Sequence, residues 1–180
     1  LMGEDEEATI AALVRARAGF HESVESHSGR IVDTAGDSVL SIFESVIEAV
    51  RCALAVQDIL AANNSDMPTD RQMHFRIGVH FGDIVERDDG TIYGDGVNIA
   101  ARLESLAEPG GLIVSGTVHE HVVGKLGIAL ADLGEQEVKN IARPVRAWRV
   151  ATNGASRKTL GGRRWVVLTS AATVILVIAL

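Results

Sequence analysis

Gly29-Arg-Ile-Val-Asp33-Thr-Ala-Gly36-Asp37-Ser-Val-Leu-Ser-Ile-Phe43 reads as two short β-strands joined by a tight turn. Ile31 and Val32 are β-branched, Val39-Leu40 and Ile42-Phe43 resume an extended apolar run, and Ala-Gly-Asp-Ser between them is turn chemistry. Asp37 therefore stands at the tip of a hairpin. By itself a Gly-Asp pair need be no more than a turn former, because Asp tolerates unusual backbone angles and bonds its own neighbours.

A second stretch raises its interest. Thr91-Ile-Tyr-Gly94-Asp95-Gly96-Val-Asn98-Ile-Ala-Ala-Arg102-Leu-Glu-Ser-Leu106 changes from turn to helix at Gly94 to Gly96, and a helix is expected over 95–107 with Asp95 as its N-cap. Val97, Ala100, Ala101 and Leu106 are expected to form its apolar stripe, while Asn98 and Arg102, four apart, project from one common face. An amide near a helix start and a guanidinium one turn on, above the positive end of the dipole, suit an anion such as phosphate.

The remaining chain supplies the frame. Its 180 residues, 47% of them apolar, suffice for one domain with a real core plus a tail. Residues 4–26 read as a helix: Glu4 to Glu7 load its positive end, and Ile10, Leu13, Val14 and Phe20 recur near helical spacing. Ser45 to Asn63 is a second helix with Val46, Ala49, Val50, Ala53, Leu54 and Leu60 on its buried stripe. Met73 to Phe81 alternates as a strand, Asp83 to Arg87 makes another, and Asp88-Asp89-Gly90 is a turn. Pro109-Gly110-Gly111 ends the third helix, Leu112 to Val114 is a strand, a short helix lies near Val118 to Val123, and Ala147 to Val150 closes as the last strand. This order fits an α+β, ferredoxin-like β-α-β-β-α-β core, given one strand ahead of residue 1. The chain opens on Leu1 already entering a helix, so an upstream piece is expected.

Seventeen basic against 24 acidic residues give a net charge of −7, which argues against a general nucleic-acid surface. The single cysteine, Cys52, excludes an internal disulfide and falls in an apolar helical pattern, as a small buried hydrophobe would. There is no Walker loop, zinc quartet or Gly-x-Ser-x-Gly elbow, and His119 and His121 lack a third metal ligand nearby. Residues 151–164 read as a basic linker with Arg157, Lys158, Arg163 and Arg164. The sixteen residues from Trp165 to Leu180 carry no charge and read as the start of a transmembrane helix. The positive-inside rule then puts residues 1–160 in the cytoplasm, beneath a cell membrane.

Together the hairpin and the 91–106 stretch resemble the catalytic domain of the class III nucleotidyl cyclases, over roughly residues 1–150. The resemblance implies an adenylate cyclase that converts ATP to 3′,5′-cyclic AMP and pyrophosphate for intracellular signalling. It would be a head-to-tail homodimer with shared sites, using two divalent cations, Mg2+ or Mn2+. Asp37 matches one of the family's two metal-binding aspartates; the other belongs to the strand expected ahead of residue 1, without which this fragment is expected to be inactive. Asn98 and Arg102 match the pair that orients the ribose and stabilises charge on the phosphate. Lys139 is similar to the lysine that reaches the triphosphate. Asp33 stands where ATP-preferring cyclases usually place a purine-reading lysine, and Thr91 at the other purine position fits ATP-type enzymes. Asp33 leaves a second reading open: a degenerate cyclase homology domain that dimerises or senses nucleotide without turnover. A guanylate cyclase fits Asp33 with Thr91 poorly.

Overall fold

The computed structural model describes residues 6–34, 38–65, 67–137, 141, 143–152 and 173–179. Helix α1, Glu6–Ser26, presents Ala16, Phe20 and Val24 to the core, whereas Val14, expected on that stripe, is exposed. The hairpin forms as expected from β1, Gly29–Asp33, and β2, Val39–Phe43. Helix α2, Val46–Asn64, starts where the Ser45 side chain accepts a hydrogen bond from the Glu48 amide, and all six residues of its expected stripe are buried. Then come β3, Arg76–Gly82; the short strands β4, Val85–Glu86, and β5, Ile92–Tyr93; α3, Asp95–Leu106; β6, Leu112–Ser115; and α4, Gly116–Val122. Two strands, β7, Leu130–Gln136, and β8, Val145–Val150, end this part of the chain. Neither β5 nor β7 shows an apolar alternation strong enough to be read in advance.

With β9, Thr173–Ala179, the main sheet runs β1-β2-β9-β3-β6-β8-β7, with β3 and β6 parallel and every other pair antiparallel. Alternation along the strands divides the core. Ile77, Val79, Leu112 and Val114 pack with α1, α2 and α4, while Ile113 faces the other way and joins Ile99 and Leu103 of α3.

The tail corrects the expectation of a membrane span. Thr173–Ala179, read as part of an incipient transmembrane helix, is instead strand β9, seated between β2 and β3 and antiparallel to both. Phe43 pairs with Val174, Val39 with Ile178, and Arg76 with Ala179. Thr-Val-Ile-Leu-Val-Ile-Ala is nearly all β-branched or apolar, which suits a central strand as well as it suits lipid, and β2 and β3 would otherwise leave two ladders of amides and carbonyls unpaired. In a β-α-β-β-α-β order this seat belongs to a strand preceding α1. Among the described residues no helix is long and apolar enough to cross a membrane. Residues 153–172, which include the basic linker, lie outside the described residues.

Candidate active site

Helix α3 is the best-defined element of the site. Its N-cap is Gly94 rather than Asp95, with φ 142° and no side-chain capping bond. A side chain there would be strained and would bring its Cβ within 3.0 Å of the Asp83 carbonyl oxygen. Asp95 becomes the first helical residue, where its charge complements the dipole. The face turned to the sheet carries Gly96, Ile99, Ala100, Leu103 and Glu104; Leu106, expected there, is exposed. Asn98 and Arg102, which their spacing put on one face, are both exposed, and neither makes a side-chain hydrogen bond or ion pair among the described residues.

What presses α3 onto the sheet was not foreseen. Gly78 lies beneath it in β3, and a Cβ at that position would stand 2.3 Å from the Ala100 carbonyl oxygen and 2.4 Å from the Glu104 amide nitrogen. Beside it the buried Glu104 carboxylate pairs with Arg76 at 2.9 Å. A glycine inside a strand pattern is the signal that marks such a close backbone approach.

The hairpin contributes Asp33, exposed at the end of β1, where a register shift between Ile31 and Asp33 lets Asp33 oppose Leu40. Asp37, read from the sequence as the turn residue, lies outside the described residues, as does Lys139. Thr91 is exposed in the turn between β4 and β5, and its amide donates to Asp89 Oδ1 at 2.9 Å. Hydrogen bonds from the Thr91 hydroxyl and amide hold the Asp89 carboxyl below its usual range. An Arg30–Glu86 ion pair of 2.8 Å ties β1 to β4, and so links the strand bearing Asp33 to the hairpin bearing Thr91.

Other candidates are structural. His119 stacks on Trp148 with ring centroids 3.8 Å apart, His121 Nδ1 lies 2.8 Å from the Thr117 carbonyl, and no metal-holding cluster of His, Cys, Asp or Glu occurs among the described residues. Burial pushes the Cys52 thiol up to about 11, so it stays a neutral core group. A cavity of about 650 Å³ opens beside the C-terminal end of α2, but its buried amides are spent on the fold. Gln57 donates to the Phe75 and Gly111 carbonyls, and Asn64 donates to the Met73 carbonyl and accepts from its amide.

A mixed sheet backs a helix that presents an exposed amide and an exposed guanidinium one turn apart. Residues 3–152 match the family model described as the adenylate and guanylate cyclase catalytic domain, and the chain belongs to that family. It is 43% identical over 159 residues to a Rhizobium meliloti protein named "Putative adenylate cyclase 3", a match that covers 88% of this chain and 27% of the relative. Over 105 residues it is 40% identical to an adenylate cyclase of Glutamicibacter nicotianae, covering 58% of this chain and 24% of that one. The chain thus spans about a quarter of the length of these relatives. Among solved structures, an adenylate/guanylate cyclase/hydrolase from Silicibacter pomeroyi superposes with a TM-score of 0.77 at 36% identity, covering 84% of this chain and 89% of that one. CyaB from P. aeruginosa, at 23% identity and a TM-score of 0.66 over 83% of each chain, shares the fold.

Proposed function

We propose that this domain is an adenylate cyclase, forming 3′,5′-cyclic AMP and pyrophosphate from ATP at sites shared between two head-to-tail copies. The observation that carries the reading is the pair Asn98 and Arg102, exposed and without partners among the described residues, on the outer face of a helix whose inner face packs on the sheet. Names of relatives support ATP over GTP, since those at 43% and 40% identity are named as adenylate cyclases.

In this reading Arg102 offers a planar fork of donors to the α-phosphate, where negative charge grows as the ribose 3′-oxygen closes on phosphorus and the bond to pyrophosphate opens. Asn98 offers both an acceptor and a donor to hold the ribose in line for that attack. Asp33 accepts from the exocyclic amine of adenine, Thr91 offers a hydroxyl to the same base, and Lys139 puts a point charge on the triphosphate. Divalent cations, Mg2+ or Mn2+, held in part by the hard carboxylate oxygens of Asp37, would neutralise phosphate charge and acidify the 3′-hydroxyl.

The experiment uses two variants of the full-length polypeptide. Asp37→Asn and Arg102→Ala homodimers should each lose on the order of 100-fold or more in kcat. Mixed under conditions where dimers exchange, they should recover activity, because each heterodimer has one site with both lesions and one with neither. Heterodimers confirmed by mass that recover nothing would rule out shared sites and leave a non-catalytic dimerisation module.

A further inference from the structure

Asn98 and Arg102 act from one rigid helix, so their position is decided wherever that helix is decided. Besides its apolar packing on Ile113, two contacts to β3 bear on it. Gly78 is buried mid-strand, and the atoms a Cβ there would strike, at 2.3 and 2.4 Å, are backbone atoms of Ala100 and Glu104 that no side-chain rotation moves aside. Its φ is not positive, so the glycine is there for space and not for an unusual backbone angle. Two residues earlier on the same strand, Arg76 pairs with Glu104 at 2.9 Å, and Glu104 is only 7% exposed. The glycine sets how closely α3 approaches the sheet. The ion pair ties α3 to a register along the strand, because sliding or rolling the helix would pull a buried carboxylate away from Arg76.

We propose that Gly78, Arg76 and Glu104 are positioning residues for the reaction: they fix the height and register of α3, and through it the placement of Asn98 and Arg102 against a partner copy's hairpin. This rests on the cyclase reading above. A Cβ at Gly78 forces a displacement on the order of 1 Å, and a misplacement of that size costs up to about 100-fold when it reaches the reacting groups. Because Arg102 serves charge that develops only in the transition state, the loss falls on kcat and kcat/KM together, with KM for the nucleotide nearly unchanged.

The test compares Gly78→Ala, Glu104→Gln and Arg76→Lys in the full-length polypeptide, assayed well below the melting temperature of each. Expected is a fall in kcat at nearly constant KM, largest for Gly78→Ala and smallest for the charge-conserving Arg76→Lys, which also serves if the other two fail to fold. In parallel, spin labels at Ser105→Cys on α3 and Glu25→Cys on α1 report the helix position without turnover, since buried Cys52 does not label. A changed label distance in the variants is expected. Unchanged distances, or folded variants with unchanged kcat, would overturn the proposal. An unsubstituted protein that turns over no nucleoside triphosphate, while the variants still shift the labels, would overturn the cyclase reading and leave the helix seat standing.

Discussion

The unit of β3, β6 and α3 and the hairpin of β1 and β2 carry the two groups of candidate residues, and they are built on different terms. All four residues of β6 are buried, as are Ile77 to His80 of β3, and α3 closes on them through a glycine and an ion pair whose carboxylate is buried. On β1 no residue is buried, and the strand is an edge of the sheet. Asn98 and Arg102 thus ride on a base that resists displacement, while Asp33 stands on an edge ribbon with one neighbouring strand, the Arg30–Glu86 pair and the half-buried Ile31 against the core. In the proposed cyclase reading the difference would suit the chemistry: transition-state charge needs fixed donors, whereas an edge ribbon leaves room to adjust around a base or a second copy.

Removing the core from under α3 should have the largest effect. Leu103 has no solvent exposure, so Leu103→Ala should destabilise the domain by about 2–5 kcal/mol in urea unfolding. Ile31→Ala on the half-buried hairpin should cost less. Equal losses would erase the contrast between the two regions.

Acid should attack the same side next. His80, on β3, is 8% exposed, and burial lowers its pKa from 6.5 to about 4. The unfolded chain then binds the proton more readily than the folded one, so stability rises with pH between those values. This contribution is complete above pH 6.5, erodes as pH falls, and is gone below about 4, a change of up to roughly 3 kcal/mol. Unfolding measured along this range should be steeper for the native protein than for His80→Asn, and parallel profiles would refute the assignment.

The smallest effect belongs to the hairpin. Both partners of the Arg30–Glu86 pair are about half exposed, and pairs of that kind contribute about 0–1 kcal/mol. Arg30→Ala should leave the melting temperature almost unchanged. A large loss would make the hairpin as firmly held as α3, and the comparison would fail.

Much of this was legible in the linear chain. The α2 stripe, the β1–β2 hairpin and the shared face of Asn98 and Arg102 all follow from local pattern, because residues a turn apart on a helix or two apart on a strand are neighbours whatever surrounds them. Local pattern could misplace single residues: Asp95 looked like a cap until Gly94 proved the residue able to take φ 142°, and Leu106 and Val14 fell on exposed arcs. It could not say that residue 78 meets residues 100 and 104, that Arg76 answers Glu104, or that Thr173–Ala179 fills the place between β2 and β3. A run such as Val-Ile-Leu-Val-Ile reads equally as lipid-facing helix or central strand. The sequence by itself therefore determined which side chains could act and which faces would be apolar. Tertiary structure alone decided how closely the working helix sits and which segment completes the sheet, since both depend on unpaired backbone and free volume contributed by residues far apart in the chain.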